Sequence, residues 1–158
     1  MKHRTIDSPV GPLTLVVDEA GALTALYTHE QKYFPAAAAL GERDDTIAAD
    51  AVAQLGEYFA GERTTFDVAL APRGTAFQQE VWAALAAIPA GETRTYGEVA
   101  SALGRPGASR AAGAATGRNP ISIIVPCHRL VGSSGALTGY AGGVERKRWL
   151  LDHEASTR

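Results

Sequence analysis

Tyr96-Gly97-Glu98-Val99-Ala100-Ser101-Ala102-Leu103-Gly104-Arg105-Pro106-Gly107-Ala108-Ser109-Arg110-Ala111-Ala112-Gly113-Ala114-Ala115-Thr116-Gly117-Arg118 reads as two short helices, 96–103 and 108–118. The Gly-Arg-Pro-Gly turn between them is of the kind that joins a helix-turn-helix. The second helix is built almost wholly of small side chains, with Arg110 the one long residue near its start. Such a helix either packs tightly against neighbours or approaches a nucleic-acid groove closely, because it lacks bulk on its surface. Just upstream, Thr75 is placed to cap a helix carrying Val81, Trp82, Leu85 and Ile88, which Pro89 stops. The C-terminal half is therefore expected to be mostly helical.

Downstream lies the only cysteine, in Ile123-Ile124-Val125-Pro126-Cys127-His128-Arg129, where an apolar, strand-like run ends on a thiol and an imidazole. A lone cysteine is more often a small buried hydrophobe than a nucleophile. The context argues the reverse, since a thiol of ordinary pKa about 8.5 is activated by a histidine or arginine neighbour and both follow directly. One cysteine excludes an intrachain disulfide and a cysteine-rich zinc site, and the four histidines lack ligand spacing. Neither a metal nor a cofactor is expected.

The N-terminal half has a different pattern. Segments 5–7, 13–17 and 22–27 are separated by turn-forming Ser8-Pro9-Val10-Gly11-Pro12 and Gly21, which predicts a small antiparallel sheet. Ile47, Val52, Leu55, Tyr58 and Phe59 predict a helix ended by Gly61, with 65–70 returning as a strand. No catalytic constellation is visible there; His3 and His29 read as surface residues and Ala36–Ala39 as helix or loop filler. Pro72 and Gly74 interrupt the pattern and divide the chain into an α/β unit, 1–72, and a helical unit, 73–158, that holds the helix-turn-helix and Cys127.

Composition agrees with an ordinary globular protein: 158 residues, 46% hydrophobic and 20% charged, with no run approaching the roughly 18 apolar residues of a membrane span. The first residues lack the apolar core of a secretory signal, so a cytoplasmic location and no membrane partner are expected. The net charge of −2 conceals a split. Residues 1–91 hold 6 Lys+Arg against 12 Asp+Glu, and residues 92–158 hold 9 against 5, so the half with the cysteine is the basic one. A basic face on an acidic protein can attract phosphates, although such a split is more often solvated surface.

Several motifs taken together identify a family. Phe77-Gln78-Gln79, Gly91 through Glu98, Ser109-Arg110-Ala111, Gly117-Arg118-Asn119-Pro120, Pro126-Cys127-His128-Arg129 and Ser134-Gly135 through Tyr140-Ala141-Gly142-Gly143 resemble, in order, the O6-alkylguanine-DNA alkyltransferases, over most of residues 75–154. The N-terminal half is similar to that family's smaller α/β domain only in length and pattern.

The resemblance implies direct, irreversible repair of double-stranded DNA. Cys127 would take the alkyl group from O6-alkylguanine, with O4-methylthymine as a second substrate class, and each molecule would act once. His128 would draw the thiol proton through a water and Glu154, at the end of the Val144–Glu154 segment, would orient the imidazole. A relay through water suits adjacent residues of an extended segment, whose side chains diverge. Asn119 would link the recognition helix to the cysteine strand. Because the O6 substituent is out of reach inside a duplex, the base must flip out, at a cost of a few kcal/mol. Arg110 matches the family's intercalating arginine and Tyr96 the tyrosine that crowds the flanking phosphate. Tyr96, Gly97, Arg105, Ser109, Arg110, Ala111, Ala112 and Ser133 would contact DNA, with the small helix in the minor groove and low sequence specificity. Tyr96, Cys127, Leu130, Tyr140 and Ala141 would form the guanine pocket, Leu130 and Ala141 through their main chain.

The chain departs from the family pattern at Ala141, often serine, which points to altered handling of bulky O6 groups, and in lacking the zinc ligands of some members. Lys147 matches a lysine of the pattern, although Arg146-Lys147-Arg148 also fits a solvated face. A monomer is implied, one that could load cooperatively on DNA. Two other classes compete. A non-catalytic damage-binding relative has its cysteine replaced, commonly by tryptophan, and a Cys127–His128 thiol hydrolase would leave Arg110 without a purpose.

Overall fold

Every residue of strand β2, Leu13–Val17, is buried, so this strand forms the middle of a sheet covered on both faces. β1, Lys2–Ile6, pairs with it antiparallel, from Lys2 opposite Val17 to Ile6 opposite Leu13. β3, Leu23–Thr28, pairs antiparallel on its other side, with an irregularity at Val16/Val17. β4, Glu42–Arg43, lies parallel beside β1, giving the order β3-β2-β1-β4. Two charged residues carry no hydrophobic alternation, which is why β4 left no trace in the sequence pattern. β1 starts at Lys2, ahead of the expected Thr5. The coordinates are a computed structural model describing residues 1–137 and 140–157; Thr138 and Gly139, within the 134–143 motif, and Arg158 lie outside the described residues.

Helix α1, Ala49–Phe59, buries Ala51, Leu55 and Tyr58 against the sheet. The strand expected at 65–70 does not form. Only Leu70 bridges to Leu23, held by Leu23 N–H to Ala69 O (2.9 Å) and Ala71 N–H to Leu23 O (2.8 Å). Pro72 stops the ladder from extending, and Asp67 N–H and O are taken by the Gln54 side chain (2.7 and 3.0 Å).

Helix α2, Ala76–Ala86, begins in a reciprocal cap. Thr75 Oγ1 accepts from Gln78 N–H (3.1 Å) and Gln78 Oε1 accepts from Thr75 N–H (2.9 Å). Gly74 has no alternative, since a Cβ there would stand 2.4 Å from the Trp82 ring. That ring donates from Nε1 to Ala115 O (2.8 Å) and ties α2 to the recognition helix. β5, Arg94–Thr95, leads into α3, Tyr96–Ala102, whose cap is the matching Thr95–Glu98 pair. α4, Ser109–Gly117, follows the turn. β6, Leu130–Val131, pairs parallel with β5, and α5, Val144–Thr157, closes the chain. The small β5–β6 ladder fixes the cysteine segment to the entrance of the helix-turn-helix.

One apolar core runs through both halves. Leu13, Leu26 and Leu55 share it with Leu85, Ile121 and Leu150, all fully buried, each contributing roughly 1.5–3 kcal/mol of burial. The edge of β3 docks on the approach to the cysteine through Leu26 N–H to Pro120 O (2.8 Å) and Ser122 N–H to Leu26 O (3.1 Å).

Candidate functional site

The run before Cys127 is a compact turn rather than the expected strand. Ile123 adopts φ +72° and Val125 N–H closes onto Ile121 O (3.0 Å). A β-branched residue at positive φ stores about 1–3 kcal/mol and persists only where its surroundings over-determine it. Asn119 supplies that constraint. Its Nδ2 donates to Val125 O (2.8 Å) and Ile121 O (3.4 Å), and its Oδ1 accepts from Ile121 N–H (3.0 Å). Asn119 thus clamps both ends of the turn that presents Cys127.

Cys127 opens a 3-10 helix, Cys127–Arg129, so it and His128 do not sit on an extended segment. The thiol is buried. Burial pushes its pKa up, and the Asn119 amide, the Lys147 charge and the backbone N–H groups of Cys127 and His128 only partly offset this. In the resting protein the thiol is therefore held protonated, whereas the sequence pointed to a pKa lowered by the adjacent histidine or arginine. Arg129 is instead engaged by Glu154 and Ile88 O. Lys147 on α5 is the cation that faces the thiol, and its own pKa falls to about 8 because burial outweighs the pull of a negative Cys127. Within the 146–148 run only Arg148 is exposed: Lys147 is buried, and Arg146 donates to Val10 O (3.0 Å) and Gly142 O (2.9 Å).

Glu154 is 1% exposed and accepts four hydrogen bonds. His128 Nε2 and Tyr58 Oη each approach Oε2 at 2.7 Å, Arg129 Nη2 approaches Oε2 at 2.9 Å, and Arg129 Nε approaches Oε1 at 2.9 Å. Burial alone would raise the carboxyl, but the His128 and Arg129 bonds prevail and hold it well below the usual carboxylate range. An ionised Glu154 has no proton to give, so the hydrogen on that contact belongs to His128 Nε2. Burial keeps the imidazole neutral despite Glu154. Nδ1 is then a bare lone pair, and it is buried with no hydrogen-bond partner among the described residues. That is the chemistry of a general base awaiting a proton.

Arg129 and Tyr58 were not singled out as members of this network. Arg129 anchors itself further by donating from Nη1 to Ile88 O (2.6 Å). Tyr58 sits on the apolar stripe of α1, and periodicity identified it only as core; it is also the N-terminal half's contribution to the site, contrary to the expectation that this half holds none. No local sequence signal links it to Glu154, 96 residues away.

A cavity of about 500 Å³ opens between α4 and the 140–144 segment. Gly113, Ala114 and Gly117 form one wall, and Tyr140 and Ala141 part of the other. Burial raises the Tyr140 hydroxyl, which stays protonated. Gly142 is obligatory, since a Cβ would lie 2.6 Å from the Tyr140 ring and 3.0 Å from Thr28 Oγ1. Leu130 is fully buried in the core and does not line this cavity.

On α4, Arg110, Ala111 and Ala114 are exposed, while Ala112, Ala115 and Thr116 face the core. The side chain of Ala112, expected at the DNA surface, is 0% exposed, because positions 112, 115 and 116 share the inward face. Tyr96 is half-buried over Gly113, Gly97 and Ser133 are exposed, and Ser109 is intermediate. Arg105 is exposed but leans on the Phe77 ring (5.3 Å) and Glu80 (3.6 Å).

Comparison with known proteins agrees with this geometry over the whole chain. The 6-O-methylguanine DNA methyltransferase ribonuclease-like domain matches residues 1–72, and the DNA binding domain of the same family matches residues 76–156. A methylated-DNA–protein-cysteine methyltransferase of Mycobacterium tuberculosis is 57% identical over 154 residues, covering 98% of this chain and 92% of the relative. One from Methanosarcina acetivorans is 49% identical, covering 99% of each. The crystal structure of Mycobacterium tuberculosis OGT in complex with DNA superposes with a TM-score of 0.90 at 54% identity, covering 99% of this chain and 94% of that one. With both domains matched and the cysteine, histidine and glutamate joined in one buried site, the chain belongs to the 6-O-methylguanine DNA methyltransferase family.

Proposed function

We propose that this protein reverses alkylation damage in DNA directly, as a methylated-DNA–protein-cysteine methyltransferase that acts once per molecule. The observation that carries the reading is the chain from Glu154 through His128 to an unpartnered, buried Nδ1 beside Cys127. His128 Nδ1 takes the thiol proton through a water, and the thiolate attacks the alkyl carbon on guanine O6. The S–C bond forms as the C–O6 bond breaks, O6 leaves with the bonding pair, and the guanine is reprotonated. A thioether offers no leaving path, so the protein is consumed.

Burial holds the thiol protonated until a lesion arrives, which protects a one-use nucleophile from stray electrophiles. Asn119 and Lys147 then favour the thiolate. Tyr140, Ala141 and the Leu130 main chain receive the flipped base, which Tyr96 also contacts. The exposed edge of α4 (Arg110, Ala111 and Ala114) enters the minor groove, where the absence of bulk permits close approach. Gly97, Ser109, Ser133 and Arg105, once released from Glu80, border the backbone. Residues 1–72 serve as the supporting α/β domain and residues 73–158 carry DNA binding and transfer, in a cytoplasmic monomer.

Intact-protein mass after mixing with a duplex holding one O6-methylguanine tests the reading. The expected result is one added methylene per protein, mapped to the peptide containing Cys127; repeated turnover, or tight binding with no mass gain, would overturn it. Arg110→Ala should slow repair in duplex DNA at least tenfold while reaction with free O6-benzylguanine is spared, since only the duplex requires extrusion. Equal slowing on both substrates removes the intercalating role.

A further inference from the structure

We infer that Lys32 and Arg118 form a phosphate site for the lesion-bearing strand, carried in part by the N-terminal half and resting on the repair reading above. The cavity beside Tyr140 has a second rim besides α4, made of Lys32, Tyr33 and Arg118. The Arg118 guanidinium lies 3.9 Å from the centre of the Tyr33 ring, and Lys32 Nζ lies 5.1 Å from the same ring. Two cations thus flank one half-exposed aromatic at the mouth of the pocket.

Neither cation has a carboxylate within 4.0 Å among the described residues, whereas Arg43, Arg63, Arg94 and Arg105 all do. A guanidinium stacked by its face on a ring keeps its N–H donors pointing outward in plane, the geometry that receives phosphate oxygens bidentately. Lys32 adds a second, mobile charge.

The rim is held in place before DNA arrives. Gln31 Oε1 accepts from Thr28 N–H (2.7 Å) and Thr28 Oγ1 (3.0 Å), and Lys32 N–H donates to Ala141 O (2.9 Å). That last bond ties the Lys32 main chain directly to the segment that lines the guanine pocket. Glu30 and Tyr33 adopt φ +54° and +65°, a strained pair of positions that the Gln31 and Ala141 bonds sustain. A base flipped into the pocket draws its own backbone toward the pocket mouth, where this rim stands.

The test is the salt dependence of binding to a duplex holding O6-methylguanine. Each lost phosphate contact reduces the slope of log affinity against log salt by about 0.9. Lys32→Ala with Arg118→Ala should therefore reduce it by about 1.8, and the charge-keeping pair Lys32→Arg with Arg118→Lys should retain the wild-type slope. A wild-type slope in the alanine pair overturns the site, as does equal loss in the charge-keeping pair, which would assign the effect to packing. Wild-type protein that gains no alkyl mass from this duplex sinks the repair reading and this site with it; a normal mass gain with an unchanged alanine-pair slope sinks the site alone.

Discussion

Cys127→Ala is expected to bind a duplex containing O6-methylguanine and to transfer no alkyl group, a complete loss rather than a slowing. The thiol is the only one in the chain, and once deprotonated it is a far stronger nucleophile toward an alkyl carbon than the neutral His128 imidazole. Its side chain is small and 6% exposed, so alanine leaves the turn held by Asn119 unchanged and costs little packing. Gel-shift affinity and intact mass, read on the same sample, check both halves of the expectation. Any methyl gain by the variant would assign the nucleophile elsewhere, and loss of binding would show the thiol to be a structural element of the pocket.

Glu154→Ala is expected to cost about 3–5 kcal/mol of stability, the usual penalty for removing one partner of a buried pair. The Arg129 guanidinium, the Tyr58 hydroxyl and His128 Nε2 would all lose their acceptor in the interior. Against a total stability of about 5–15 kcal/mol, that change brings the protein near unfolding. Urea denaturation measures it, and an unchanged midpoint and slope would refute the network's structural role. The milder Glu154→Gln keeps the shape and isolates the charge. Because the folded carboxyl titrates below its unfolded value of about 4.3, its contribution is present above that value and is lost as pH falls through the folded pKa. The wild type should lose stability on acidification below about pH 4.3, and Glu154→Gln should show a shallower loss. Identical pH profiles would mean that the charge contributes nothing. Transfer by Glu154→Gln should also slow, since the Nε2 proton is no longer held by a carboxylate.

The motifs were readable because each encodes its geometry locally. Thr75 and Thr95 cap their helices with a residue three positions on, so α2 and α3 announce their own starts. Pro-Cys-His-Arg places an imidazole next to a thiol by covalent adjacency alone. The misreadings share a cause as well. The apolar run at 123–125 scores as strand, but it is folded into a turn by Asn119, a side chain outside the run. Segment 65–70 had strand-like residues without a neighbour able to pair beyond Leu70.

From the residues alone came the α/β half followed by a helical half, the helix-turn-helix and Cys127 as the candidate nucleophile, and through resemblance the family and the proposed roles of His128 and Glu154. These rest on short-range spacing, which the chain carries wherever it goes. The rest required the folded protein. The inward side of α4, which withdraws Ala112 from the surface, is set by where α2 and α3 pack. The bonds from Tyr58 and Arg129 to Glu154, the burial that holds the Cys127 thiol protonated, and the meeting of Lys32 with Arg118 over Tyr33 join residues 25 to 96 positions apart or depend on depth below the surface. Hydrogen-bond partners and desolvation belong to three-dimensional surroundings, and only the tertiary structure supplies those.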